Sequence, residues 1–138
     1  MSLPIPPPSV ALLDGLPSPI ATHWYDFLSQ FGRAVPLANI TYSAGIAFDV
    51  RLGDSFVITA TNGTAFTINA PLNPTNGRVI TVTISNASGG ALGVITWNGV
   101  FKMPAFVNPA NGNSRSVTFH YNGTNWVQRY QSAADVPN

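Results

Sequence analysis

The chain has no cysteine and no glutamate, a single lysine (Lys102), and only 8% charged residues in 138. Each shortage removes a class of function. Without thiols there are neither disulfides nor thiolate metal ligands, which leaves the redox compartment open. The six cations, Arg33, Arg51, Arg78, Lys102, Arg115 and Arg129, are scattered, and the net charge is +1. No basic stripe exists to follow a phosphate backbone, so no nucleic-acid partner is expected. No apolar run reaches the 18 residues that a membrane-spanning helix needs. The first residues, Met-Ser-Leu-Pro-Ile-Pro-Pro-Pro, have no basic region and are interrupted by proline. They are not read as a signal peptide, and synthesis in a cytosol is expected.

Reactive chemistry is equally sparse. His23 and His120 are the only histidines, and the acids are Asp14, Asp26, Asp49, Asp54 and Asp135. His23 has Asp26 three residues on, a common surface spacing on a helix. His120 has no acid near it in sequence, so neither histidine reads as part of a hydrolytic triad. No spacing matches a metal site, and no phosphate loop, dinucleotide fingerprint or nucleophile elbow is present. Asp49 and Asp54 flank Arg51 and Gly53 and read as a strand end and a turn. No catalytic residue, cofactor or metal ligand is assigned, and the chain is not read as an enzyme.

What is present is apolar residue, at 45%, and neutral polar residue. An ordinary domain carries about 25% charge. Here Asn, Thr, Ser and Gly replace it. A surface of amides and hydroxyls can be buried in an interface without desolvating ions, and low net charge removes repulsion between copies. Both favour a protein that works inside an assembly. The alternative is a secreted or thermally robust domain with an unusual surface.

Residues 1–17 form a proline-rich arm. Pro4, Pro6, Pro7 and Pro8 impose extended or polyproline II backbone. Leu3, Ile5, Val10, Leu12 and Leu13 make the arm too apolar for a solvated linker. Leu3, Ile5, Pro6, Pro7, Val10, Leu12 and Leu13 are therefore the candidate anchoring residues, on a partner, a sister subunit or the chain's own domain. Residues 18–32 read as one short helix, with Ser18 as its cap, Pro19 in its first turn and Gly32 after its end. Ile20, Trp24, Phe27, Leu28 and Phe31 fall on one stripe. Trp24, Phe27, Leu28 and Phe31 are its packing residues. Positions 33–43 read as a connector, 44–131 as a β-domain and 132–138 as a tail.

The β-domain is marked by five Asn-Gly pairs: Asn62-Gly63, Asn76-Gly77, Asn98-Gly99, Asn111-Gly112 and Asn122-Gly123. Asn-Gly between alternating apolar residues signals a type I′ hairpin, because both residues tolerate φ > 0. Strands are predicted over 46–51, 55–60, 64–69, 78–85, 93–98, 100–103, 114–121 and 125–130. Ile80, Val82 and Ile84 alternate with Thr81, Thr83 and Ser85. Val117, Phe119 and Tyr121 alternate with Ser116, Thr118 and His120. These hydroxyl faces suit either solvent or a subunit interface. The expected fold is mainly β: an antiparallel sandwich, jelly roll or small barrel of about seven or eight short strands.

Trp97, Tyr121 and Trp126 flank two Asn-Gly turns. Aromatics beside amides and carboxylates stack on sugars in β-sandwich lectins, so these three are candidate glycan contacts. The competing reading is cross-strand packing on the core face. Asn62-Gly-Thr64 and Asn122-Gly-Thr124 also match the glycosylation pattern, with turn formation as the competing reason for both.

Taken together, Asn73-Pro-Thr-Asn-Gly-Arg-Val-Ile-Thr-Val-Thr-Ile84, Asn86-Ala-Ser-Gly-Gly-Ala-Leu-Gly-Val-Ile-Thr-Trp97, Phe101-Lys102, Asn108-Pro-Ala-Asn-Gly112 and Ser116-Val-Thr-Phe-His-Tyr-Asn-Gly-Thr-Asn-Trp126 resemble a β-module recurrent in tailed-bacteriophage virion proteins. The segment Ile20 to Phe31 is similar to short helices near the start of such proteins. The resemblance spans roughly residues 18–131. It implies a homotrimer on the virion surface, made in the host cytoplasm, with no catalytic residues. The short chain has the layout of a capsid decoration protein of the cement or head-fibre type, held by its arm to the major capsid protein or another virion protein. A short tail-fibre or tail-tip receptor-binding protein, or a carbohydrate-binding β-module contacting a host surface glycan, are the alternatives.

Overall fold

The computed structural model describes residues 37–138. The arm (1–17), the helix (18–32) and the start of the connector lie outside the described residues, and with them Leu3, Ile5, Pro6, Pro7, Val10, Leu12, Leu13, Trp24, Phe27, Leu28 and Phe31. The described chain is mainly β, as expected. Its strands are β1 (Leu37–Ile40), β2 (Gly45–Ile46), β3 (Ser55–Ala60), β4 (Phe66–Ile68), β5 (Val79–Asn86), β6 (Ile95–Trp97), β7 (Phe101–Lys102), β8 (Asn113–Tyr121), β9 (Trp126–Gln131) and β10 (Val136–Pro137), with a 3-10 turn at Val50–Leu52.

The pairing differs from the expected antiparallel layout. The large sheet runs β1-β3-β5-β8-β9-β7, with β10 also on β8, and the small sheet runs β2-β4-β6. Pairs β1–β3, β3–β5, β2–β4, β4–β6 and β7–β9 are parallel. Antiparallel pairing is confined to β8, with β5, β9 and β10. The chain therefore alternates between sheets: β1 to β2, β3 to β4, β5 to β6. Each coil lays its strands beside those of the coil before, a β-solenoid-like arrangement in place of a sandwich, jelly roll or barrel. The β8–β9 hairpin then reverses strand direction in the large sheet.

The Asn-Gly pairs explain the difference. Only Asn122-Gly123 joins two antiparallel neighbours, β8 and β9. Asn62-Gly63 instead carries the chain from the large sheet to the small one. Its neighbour in the next coil, the 87–94 segment, stacks directly on it. Gly93 N–H donates to Gly63 O at 2.8 Å, and a Cβ on Gly93 would lie 2.6 Å from Ala65 N. Nor are the turns type I′: the one described non-glycine residue with positive φ is Asn73 (φ 54°), so each asparagine of the Asn-Gly pairs has negative φ. Tight inter-sheet corners and hairpins thus share one dipeptide signal.

Two further elements depart from the expected boundaries. Strand β1 lies inside the supposed connector 33–43, and β10 lies inside the supposed tail, paired through Val136 with Ser114. Both are short and have no fully buried residue, so they carry little of the buried apolar alternation that marks β5.

The core fills the space between the sheets. Phe56, Ile58, Ala60, Ile80, Val82, Ile84, Val117 and Phe119 come from the large sheet, and Phe66 and Ile68 from the small one, all almost fully buried. The valine, isoleucine and phenylalanine side chains among them contribute about 1.5–3 kcal/mol each on burial. Aromatic packing adds to this. Phe48 meets Phe56 at 4.4 Å between ring centroids, and Trp97 packs on Phe101, Phe106 and Phe119 at 5.2–5.7 Å. No helix among the described residues is long and apolar enough to cross a membrane.

Candidate interaction face

The inward residues of the large sheet fix which side chains point out. Successive side chains alternate across a strand, so the neighbours of Phe56, Ile80, Val82, Val117 and Phe119 form the outer face. Register then aligns them in rows. Leu37, Ser55, Thr81, Thr118 and Tyr130 make one row. Asn39, Val57, Thr83 and Ser116 make the next. Thr59, Ser85, Ser114 and Val136 make a third. Val79, His120 and Val127 close the face at the opposite end.

The two hydroxyl stripes read in the sequence thus meet on one surface, because β5 pairs with β8. They are bonded across the strands. The Thr81 and Thr118 hydroxyls lie 3.0 Å apart, and those of Thr83 and Ser116 lie 2.8 Å apart. Each pair uses one hydroxyl hydrogen and leaves the other free for a partner. No aspartate, lysine or arginine stands in the first three rows, while the fourth runs on from Val127 to the exposed Lys102 of β7. A second exposed cation, Arg129, sits at the bulge where β8 and β9 shift register. What the sequence did not expose is the apolar flank. Leu37 is 58% exposed, Val79 44% and Tyr130 62%, and only the strand register brings them to the same face.

Electrostatics elsewhere on the described chain is closed. Each of its three carboxylates holds an arginine: Asp49 with Arg51 at 2.6 Å, Asp54 with Arg78, and Asp135 with Arg115. The Arg51 guanidinium lowers the Asp49 carboxyl to about 2, helped by the Arg51 N–H and the Asn73 amide. The Ala110 N–H, and then Arg115, hold the Asp135 carboxyl below its ordinary range. Lys102 spends its ammonium on Gly99 O at 2.7 Å. Carboxylates held in the ionised form are poor proton donors, so Asp49 and Asp135 do not suit general acid work. His120 stands in its row between Val79 and Val127 with no carboxylate in register. Among the described residues no three His, Asp or Glu side chains converge as a metal site.

The candidate glycan residues are dispersed. Trp126 is 1% exposed and Tyr121 covers it at 4.9 Å between ring centroids, so no sugar ring can stack on it. Burial in the core corrects that assignment. Trp97 is half-buried in the aromatic cluster with Phe101, Phe106 and Phe119. Tyr121 keeps partial exposure but donates its hydroxyl to Gly123 O at 3.0 Å. A separate depression of about 410 Å³ is lined by Asp54, Thr75, Asn76, Arg78 and Val79. Its charges are already matched within the Asp54–Arg78 pair.

No protein-family model, no curated protein and no solved structure matches the chain.

Proposed function

We propose that this chain is a non-enzymatic structural protein of a tailed-bacteriophage virion. In this reading it is a homotrimeric capsid decoration protein, of the cement or head-fibre kind, held by its N-terminal arm to the major capsid protein or another virion protein. The observation that carries the reading is the outer face of the large sheet. It is broad, ordered in register and free of formal charge over its three hydroxyl-bearing rows, with Lys102 and Arg129 confined to one end and the bulge, while the aspartates of the described chain are tied to arginines. Such a surface costs little to desolvate and suits permanent contact. The β-module resemblance supplies the virion setting.

The test is omission. Heads assembled without this chain should lose mass at threefold or quasi-threefold positions and break at a lower temperature than complete heads. Intact, unchanged heads combined with missing tail appendages and lost adsorption would overturn the decoration role and favour a short tail-fibre or tail-tip protein. Binding of the purified chain to a glycan array, with no change in particles, would favour the carbohydrate-binding alternative.

A further inference from the structure

We infer that the outer face of the large sheet is where copies of this chain meet, through the Thr81–Thr118 and Thr83–Ser116 hydroxyl pairs, with Val79, Leu37 and Tyr130 as apolar flanks. The inference rests on the assembly reading above and adds the surface. Charge decides the occupant. Nucleic acid needs a row of cations, and a charged protein partner needs counter-charges. The rows from Leu37 to Tyr130, Asn39 to Ser116 and Thr59 to Val136 offer neither. His120, Lys102 and Arg129 lie outside those rows, at one end and at the bulge. An anionic membrane surface would find only Lys102 and Arg129 at that end, fewer cations than a polybasic cluster needs.

A hydroxyl is both donor and acceptor. An array of hydroxyls is therefore its own complement: the face of one copy can satisfy the same face of another. Most of these side chains are half-buried already, and each cross-strand pair satisfies part of its hydrogen bonding before any partner arrives. Covering them strands few polar groups, the main cost of burying polar surface. Register is unshifted from β1 through β3 and β5 to most of β8, so the rows run straight and can lie against a second set. Tyr130, large, aromatic and 62% exposed, is the residue type that anchors interfaces.

The absence of native cysteine makes the test direct. In the full-length chain, Thr83→Cys places one near-isosteric thiol on the face, and Thr96→Cys places one on β6 of the small sheet as the control. On mild oxidation Thr83→Cys should give disulfide-linked pairs of chains and Thr96→Cys should not. Thr83→Arg should shift the sedimenting species from a trimer to a single chain with unchanged circular dichroism, and Thr96→Arg should leave the trimer intact. A wild-type trimer that persists in Thr83→Arg, with no cross-link in Thr83→Cys, overturns this face while leaving the assembly reading standing. A wild-type chain that sediments as a monomer overturns both. A monomer whose binding to a glycan array is lost in Thr83→Arg would overturn the self-contact and assign the face to a polysaccharide.

Discussion

Asn86 donates its side-chain amide to Pro109 O at 3.0 Å from a position with no solvent exposure. It joins the end of β5 to the loop that leads into β8. A second donation reaches Gly90 O at 2.9 Å, and its carbonyl oxygen accepts from Ser88 N–H and the Ser88 hydroxyl. Asn86→Leu removes the amide, orphans the buried Pro109 carbonyl and strips the Ser88 N–H of its acceptor, while the exposed Gly90 carbonyl keeps the Ser88 hydroxyl. Leaving one buried polar group unpaired costs about 1–3 kcal/mol. The variant should lower the urea midpoint by an amount equivalent to about 3 kcal/mol with little change in slope.

Gly93 has no room for a methyl group. Its Cβ would lie 2.6 Å from Ala65 N and 2.7 Å from Gly63 O, both backbone atoms that cannot swing aside. Gly93→Ala should destabilise by about 1–3 kcal/mol, the range for overpacking. A Cβ on Gly90, in the same corner segment, would meet nothing within 4 Å. Gly90→Ala should stay within about 0.5 kcal/mol of the parent. Paired thermal melts of the two variants check the contrast.

Asp49 gives an acid signature. Its folded value, about 2, lies below its ordinary 3.8. A carboxyl depressed by folding stabilises the fold above its unfolded value and loses that contribution as pH falls through the folded value. The window is therefore from pH 4 down to pH 2. Asp49→Asn removes the titration. Urea midpoints measured across that window should fall less steeply with acid in the variant than in the parent. Equal slopes would contradict the assignment.

The hydroxyl pair Thr81–Thr118 should couple measurably. Cross-strand pairs of this kind contribute roughly 0.2–1 kcal/mol. A double-mutant cycle with Thr81→Val and Thr118→Val keeps the side-chain shape and removes only the hydrogen bond. The monomeric Thr83→Arg background isolates this coupling from contacts between chains. A coupling energy of zero there would mean that solvent serves the two hydroxyls equally well.

The sequence made the strands of the large sheet legible because burial on one face leaves a period of two. Ser55–Ala60 was predicted with its observed ends, and β5 and β8 to within a residue or so. Ile80, Val82 and Ile84 against Thr81, Thr83 and Ser85 also identified the outer hydroxyls. Pairing direction was not legible. Asn62-Gly63 and Asn122-Gly123 look alike locally, and only the long-range partner, β4 in the other sheet or β9 beside β8, separates a corner from a hairpin. Trp126 illustrates a second limit: a tryptophan beside a turn can face either way, and here its alternation with exposed Val127 turned it into the core. Tyr130 joined the face through a bulge between Thr118 and Phe119, and a bulge leaves no mark in the periodicity.

The β8 strand has one more consequence. Parallel coils can be stacked indefinitely, since each new strand repeats the direction of the last. β8 runs the other way and occupies the flank of β5, so no coil can be added there. Among the described residues the opposite flank, at β1, carries no such stop. The described strands form a ladder of coils with one fixed end. Inserting a coil between β1 and β3 would lengthen the large sheet by about 4.8 Å while leaving the β5–β8 seam untouched. Relatives of different reach could be made from the same hairpin terminus by changing only the number of turns ahead of it.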